Sequence, residues 1–221
     1  MSFPTPFGPL DGVAPLLVFA MTQTECLAGA INRYESHNVP LPEHISSAMN
    51  ALSHHLLLLR PADGLPIVPA HGLDKQQVIE NNLEIAWYLA ANILFHNRIN
   101  NISNEGVAVA VDEVSMCLLR AESFKEDLQP EVILRNYPAT FPAFVAACNA
   151  IYDREAWECW WTAMQRYNCP KIRAQWMVIQ MIWKFTDELR EAEEYDLSWV
   201  EILQGSGSKS LWTLFEELGF Y

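Results

Sequence analysis

Trp157-Glu158-Cys159-Trp160-Trp161-Thr162-Ala163-Met164-Gln165-Arg166-Tyr167 places large apolar side chains at i, i+3, i+4, i+7 and i+10. That spacing makes one broad helical face, where a strand would alternate. Pro170 follows at a place where a helix can begin, because its missing N–H costs nothing in a first turn. Ile172, Trp176, Ile179 and Trp183 then continue at steps of four, three and four.

The same period runs outward to the N-terminus. Leu16, Phe19, Ala20, Cys26, Leu27, Ala30, Ile31 and Tyr34 form one stripe. Beyond Pro40 and Pro42, Ile45, Met49, Leu52, Leu56 and Leu59 form the next. Pro61, Gly64, Pro66, Pro69 and Gly72 mark a loop. Asp74 is placed to cap a long helix through Val78, Leu83, Trp87 and Leu94 that ends near Arg98. After a polar break at 100–105, Val107, Val111, Val114, Cys117 and Leu118 predict a further helix, followed by a charged loop through Pro130. Phe141 to Tyr152 reads as a short apolar helix. Gly205-Ser206-Gly207-Ser208 reads as a link, with Ser210 capping a final helix that stops at Gly219. No stretch alternates long enough to predict a strand. The expected fold is all-α, a single domain over 1–221 with seven to nine helices. A Pro-rich arm (1–14) precedes it, and a Gly/Ser link (204–209) precedes the last helix.

Composition limits what the chain can do. Its 221 residues are 51% hydrophobic, far from a disordered composition. Scarce glycine (9) beside abundant tryptophan (8) disfavours a β-rich fold with many tight turns. Against 27 acidic residues stand 14 basic ones, for a net charge of −13. That excludes broad phosphate neutralisation of nucleic acid, though not a local basic patch. Cys26, Cys117, Cys148, Cys159 and Cys169 are scattered, with no C-x-x-C and no six-cysteine zinc cluster, as expected of reduced thiols. The first residues, MSFPTPFGPLDG, carry no basic group, so no signal or transit peptide is expected. The longest apolar run, Ala14 to Met21, contains Pro15 and is far short of a membrane span. A cytoplasmic protein is expected, with no cofactor and no metal.

The most unusual chemistry is Asp187-Glu188-Leu189-Arg190-Glu191, at the end of the Trp176/Trp183 helix. Asp187 and Glu191 are i, i+4 and Glu188 and Glu191 are i, i+3, so three carboxylates share one side. Like charges at these spacings repel, and acids at a helix C-terminus oppose the macrodipole. One reading offers the cluster to a cation, for which a guanidinium is a good planar match. The other is a solvated acidic helix end screened by Lys184 and Arg190. A magnesium–diphosphate site would need a second acidic motif facing the first, and Asp112-Glu113 is the only nearby candidate.

Weaker signals surround this one. His54-His55 point about 100° apart on a helix and cannot chelate one metal together. His96-Asn97-Arg98 suits the C-terminus of a helix. Cys148 has no basic neighbour in sequence and reads as an inert core thiol. No G-x-S-x-G, P-loop or G-x-G-x-x-G occurs. The tryptophan stripe is first of all core packing, but its breadth leaves indoles to stack a cationic or aromatic ligand. Trp157, Trp161 and Trp183 are the candidates for that contact. Arg166, Lys171 and Arg173 flank a turn, whereas the segment 187–217 holds nine acids and two bases.

Phe141-Pro142-Ala143-Phe144-Val145-Ala146-Ala147-Cys148-Asn149-Ala150, followed by Trp157, Trp160-Trp161, Met164, Trp176 and Ile182-Trp183, resembles the C-terminal half of the ArcA-like fungal-specific transcription factor domain. The likeness extends over residues 75–203 and is strongest at 137–187. Asn149 stands where that pattern has Glu. Without a zinc cluster, the chain is also similar to the fungal arginine-containing cyclodipeptide synthases, a family with a D-D-x-x-E motif. Asp187 and Glu191 match its ends, and Glu188 replaces its second Asp. The resemblance implies condensation of arginine with a second amino acid into a cyclic dipeptide. The partners would be arginyl-tRNA and a second aminoacyl-tRNA. One of Asp187, Glu188 and Glu191 would then hold the arginyl side chain, and another would take a proton from the α-amine. Arg154, Arg166, Lys171 and Arg173 would touch tRNA phosphates. The contrasting expectation is a non-catalytic regulatory or ligand-binding module.

Overall fold

Proline and aspartate set the helix starts. In the computed structural model, which describes residues 13–100, 104–150, 154–192 and 198–204, α1 (Pro15–Ser36) carries a proline in its first turn. Pro42 is the N-cap of α2 (Glu43–Leu58). The Asp74 side chain accepts from the Gln76 amide at 3.0 Å and so caps α3 (Lys75–Phe95). The chain continues through α4 (Asn104–Leu128), α5 (Thr140–Cys148), α6 (Arg154–Met164), α7 (Pro170–Glu191) and α8 (Trp199–Gln204). The described residues thus form eight α-helices and no strand, the all-α bundle that the 3.6-residue period predicts.

α3 sits at the centre and packs most extensively on α4, with α1 and α5 also against it. A salt bridge from Lys75 Nζ to Asp127 Oδ2 (3.0 Å) joins the start of α3 to the end of α4, so the two run antiparallel. One continuous apolar core links Leu17 of α1 to Val200 of α8. Trp157, Trp160 and Trp161 are all buried in it. Their stripe continues as ring contacts: Trp161 stacks on Trp176 at 6.2 Å, and Trp176 meets Trp183 edge-on at 5.4 Å. Trp183 also donates from Nε1 to the Ala147 carbonyl at 2.7 Å, pinning α7 to α5.

Three local expectations are corrected, and one helix is added. The stretch after Leu118, expected as a charged loop, is helical to Leu128. Glu122 and Lys125 lie on its inner face beside the buried Ala121, and they neutralise each other at 2.7 Å. Charge alone misreads such a helix, because pairing removes the penalty of burial. The second correction is at His96-Asn97-Arg98, which does not end a regular helix but opens a π-helical turn, His96–Asn100. Both Asn97 and Arg98 find buried partners there. Arg98 grips Glu25 of α1 with Nε and Nη2 at 2.9 and 3.1 Å. Asn97 and Asn149 exchange side-chain hydrogen bonds at 3.0 Å each, and Trp199 Nε1 donates to Asn97 Oδ1 at 3.0 Å. Thirdly, the helix expected from Phe141 ends at Cys148, where Asn149 turns its amide back to the Val145 carbonyl. Finally, α8 occupies a stretch for which the sequence carries no helix signal, since a six-residue helix has too few turns to show a period. The Gly/Ser link, the Ser210 cap and most of the Pro-rich arm lie outside the described residues.

Candidate functional site

The three acids of the motif lie on the last turns of α7 and are all exposed. Asp187 is already engaged: Arg154 Nη1 of α6 donates to Asp187 Oδ2 at 2.7 Å. The same guanidinium lies 5.1 Å from the centroid of the Trp183 ring and donates from Nε to the Ala150 carbonyl. A carboxylate, an aromatic face and a carbonyl therefore hold a guanidinium here, and the chain supplies that guanidinium itself. Glu188 is 3.7 Å from Lys184 across one turn, an exposed pair of small worth. Asp112 and Glu113 are exposed on α4. Among the described residues, no three His, Cys, Asp or Glu side chains gather closely enough to hold a metal ion.

The indoles are placed differently from a pocket wall. Trp157 and Trp161 are 1% and 0% exposed and belong to the core, and of the three indoles only Trp183 meets a cationic side chain among the described residues. The Nε1 atoms of Trp160 and Trp161 are buried without a hydrogen-bond partner. At least three of the four basic residues have partners within the chain. Arg154 is drawn to Asp187, Arg166 sits on Glu126 of α4 at 3.2 Å, and Arg173 donates to Asn168 Oδ1 at 2.6 Å. Lys171 is exposed in the first turn of α7.

Sequence reading overlooked a cleft of about 990 Å³ between α3, the end of α4, the 131–139 loop and the starts of α5 and α7. Trp87 and Phe141, stacked at 5.5 Å and 11°, make its apolar wall. Lys125, Arg135 and Lys171 also line it, and among the described residues no carboxylate does. Two of these cations are already balanced: Lys125 pairs with Glu122, and Arg135 Nη2 lies 3.6 Å from Glu126 Oε1.

The cleft is built on a buried polar frame. Glu122 takes a hydrogen bond from Lys125 at 2.7 Å and another from the Tyr167 hydroxyl at 2.8 Å. Burial and the adjacent Glu122 carboxylate push the Tyr167 phenol up, so it stays a donor at neutral pH. Lys125 also reaches the Tyr137 carbonyl, and Arg135 donates to the Gln129 and Pro130 carbonyls. Two atoms of this frame remain unsatisfied although buried: Arg135 Nη1 and Gln175 Oε1. Both residues line the cleft. The nearest sequence signal was Glu122 and Lys125 recurring on the face of Leu118 and Ala121. Nothing in local spacing connects residues 87, 135 and 175.

No described helix is long and apolar enough to cross a membrane. Residues 3–213 match the family model of the fungal specific transcription factor domain, almost the whole chain. No curated protein and no solved structure matches it significantly.

Proposed function

The chain belongs to the fungal specific transcription factor domain family, and on that footing we propose that it is a non-catalytic regulatory module that responds to a small molecule. The observation that carries this reading is the 990 Å³ cleft, which has the size and mixed lining of a small-molecule site. A regulatory domain needs two states that a ligand can favour unequally. This cleft supplies the means, because it lies where α3, α4, α5 and α7 meet. The test is a fusion of the full chain to a heterologous DNA-binding domain in a fungal reporter strain. Reporter output is expected to change, and filling the cleft by Ala139→Trp is expected to alter that output. A fusion that is inert in both forms would overturn the proposal.

A second reading is a tRNA-dependent synthase that condenses arginine with another amino acid. It is supported by the motif residues Asp187, Glu188 and Glu191, and by the guanidinium that Asp187 and Trp183 already hold. In that reading Arg154 marks where an arginyl side chain would sit and would have to yield its place. An ester of tRNA is already activated, so the reaction would need a base for the α-amine and no cofactor. Arg166, Lys171 and Arg173 would meet tRNA phosphates once released from their internal partners. Expression in bacteria followed by mass spectrometry separates the two readings. The regulatory module yields no cyclic Arg-Xaa product. A product that disappears in Glu191→Ala would establish the synthase.

A further inference from the structure

We infer that the cleft binds an uncharged aromatic molecule with a neutral hydrogen-bonding edge, of the carboxamide kind. The inference rests on the cleft being a ligand site, as proposed above, and adds the chemical class of the ligand.

The charges around the cleft are already spent on the protein. Lys125 Nζ donates to Glu122 at 2.7 Å and to the Tyr137 carbonyl at 3.4 Å. Arg135 donates to the Gln129 and Pro130 carbonyls and lies 3.6 Å from Glu126, with its own side chain only 1% exposed. Lys171 is engaged as well. An anionic ligand could draw on Lys125 only by taking the cation from the buried Glu122 carboxylate, a costly exchange. A cationic ligand meets no carboxylate on the lining among the described residues. A charge of either sign would give up its water for no partner, and a neutral molecule avoids that loss.

The polar groups with capacity to spare are themselves neutral. Asn136 and Thr140 line the cleft, and neither side chain makes a hydrogen bond within the protein. Asn136 is exposed and Thr140 half-buried, so both can be reached. An amide offers a donor and an acceptor and a hydroxyl offers either, so the matching edge on a ligand carries both. The apolar surface left open on the lining is that of Leu128, Leu134 and Tyr137. The Tyr137 ring, 70% exposed and 6.0 Å from the Tyr167 ring, gives a flat aromatic body a surface to pack on. Lys125 and Arg135 hold the carbonyls of residues 129, 130 and 137, so the loop that carries Leu134, Asn136 and Tyr137 is set before a ligand arrives.

The test uses the full chain and four probes that share the indole ring: indole-3-acetamide, indole-3-acetate, tryptamine and 3-methylindole. Binding is read by calorimetry and by protection of Cys169, a free thiol on the cleft lining, from alkylation. Indole-3-acetamide is expected to bind at least about tenfold more tightly than the anion and the cation, and to slow Cys169 alkylation. It is expected to exceed 3-methylindole, which lacks the polar edge, about three- to tenfold. Asn136→Ala removes an exposed, unbonded side chain and leaves folding intact. It is expected to bring indole-3-acetamide towards the affinity of 3-methylindole and to leave 3-methylindole unchanged. Indole-3-acetate or tryptamine binding as tightly as the amide overturns the inference and keeps the ligand site. So does 3-methylindole matching the amide with no effect of Asn136→Ala. No binding or protection by any probe overturns both, and a concentration-dependent dimer abolished by Ala139→Trp would then assign the cleft to a second copy of the chain.

Discussion

Arg154 and Asp187 are joined at 2.7 Å across the α6–α7 packing, with the guanidinium lying over the Trp183 ring. The two contacts differ in weight. Asp187 is about half exposed, so Asp187→Asn is expected to cost under about 1 kcal/mol. Trp183 is buried and hydrogen-bonded to Ala147, so Trp183→Ala is expected to cost about 3–5 kcal/mol. Urea unfolding of the two variants checks the order. Equal losses would mean that the exposed ion pair contributes as much as the buried indole.

The Glu25–Arg98 pair ties α1 to the π-helical turn in the interior, with side-chain exposures of 2% and 9%. Burial lifts the Glu25 carboxyl above its ordinary range, and Arg98 pulls it back in part. Arg98→Met removes that restraint and leaves a carboxylate with no cation. Stability is expected to fall by about 3–5 kcal/mol at neutral pH. A carboxyl whose pKa is raised by folding binds its proton more tightly folded than unfolded. Its stabilisation is therefore present below the ordinary carboxylate range and is lost as the pH rises through the raised value. Denaturation at pH 5 and pH 7 should show the smaller loss at pH 5.

Asn149, which stands where the resembling pattern has Glu, shares a buried polar junction with Asn97 and Trp199. Asn149→Ala strands the Asn97 amide and is expected to cost about 1–3 kcal/mol. Trp199→Phe removes only one of two donors to Asn97 Oδ1 and should lose less at that atom. The double variant Asn97→Ala/Asn149→Ala should cost less than the sum of its parts. Additive losses would show that the two amides act separately.

The thiols should sort by burial. Burial pushes Cys117 up to about 11 and Cys148 well above the ordinary thiol range. Cys26 and Cys159 are exposed. Iodoacetamide at pH 8 with peptide mass mapping should label Cys26 and Cys159 within minutes and leave Cys117 and Cys148 until the chain is denatured. Early labelling of Cys148 would mean that α5 opens locally.

The sequence by itself determined the helical class and most helix starts. Apolar spacing, Asp74 and Pro170 act within a few residues and need no distant partner. It also placed three carboxylates on one side of α7, because i, i+3 and i+4 are fixed by helix geometry. What it left undetermined was the company each charge keeps. Glu122 and Lys125 read as loop residues until the interior paired them, and Arg154 read as a phosphate contact until Asp187, 33 positions away, took its guanidinium. The cleft was beyond local reading for the same reason. Trp87, Arg135 and Gln175 share no period, and only the packing of α3, α4, α5 and α7 brings them to one cavity. Periodicity is a property of one helix, whereas sign, pairing and enclosure belong to surfaces that several helices make together.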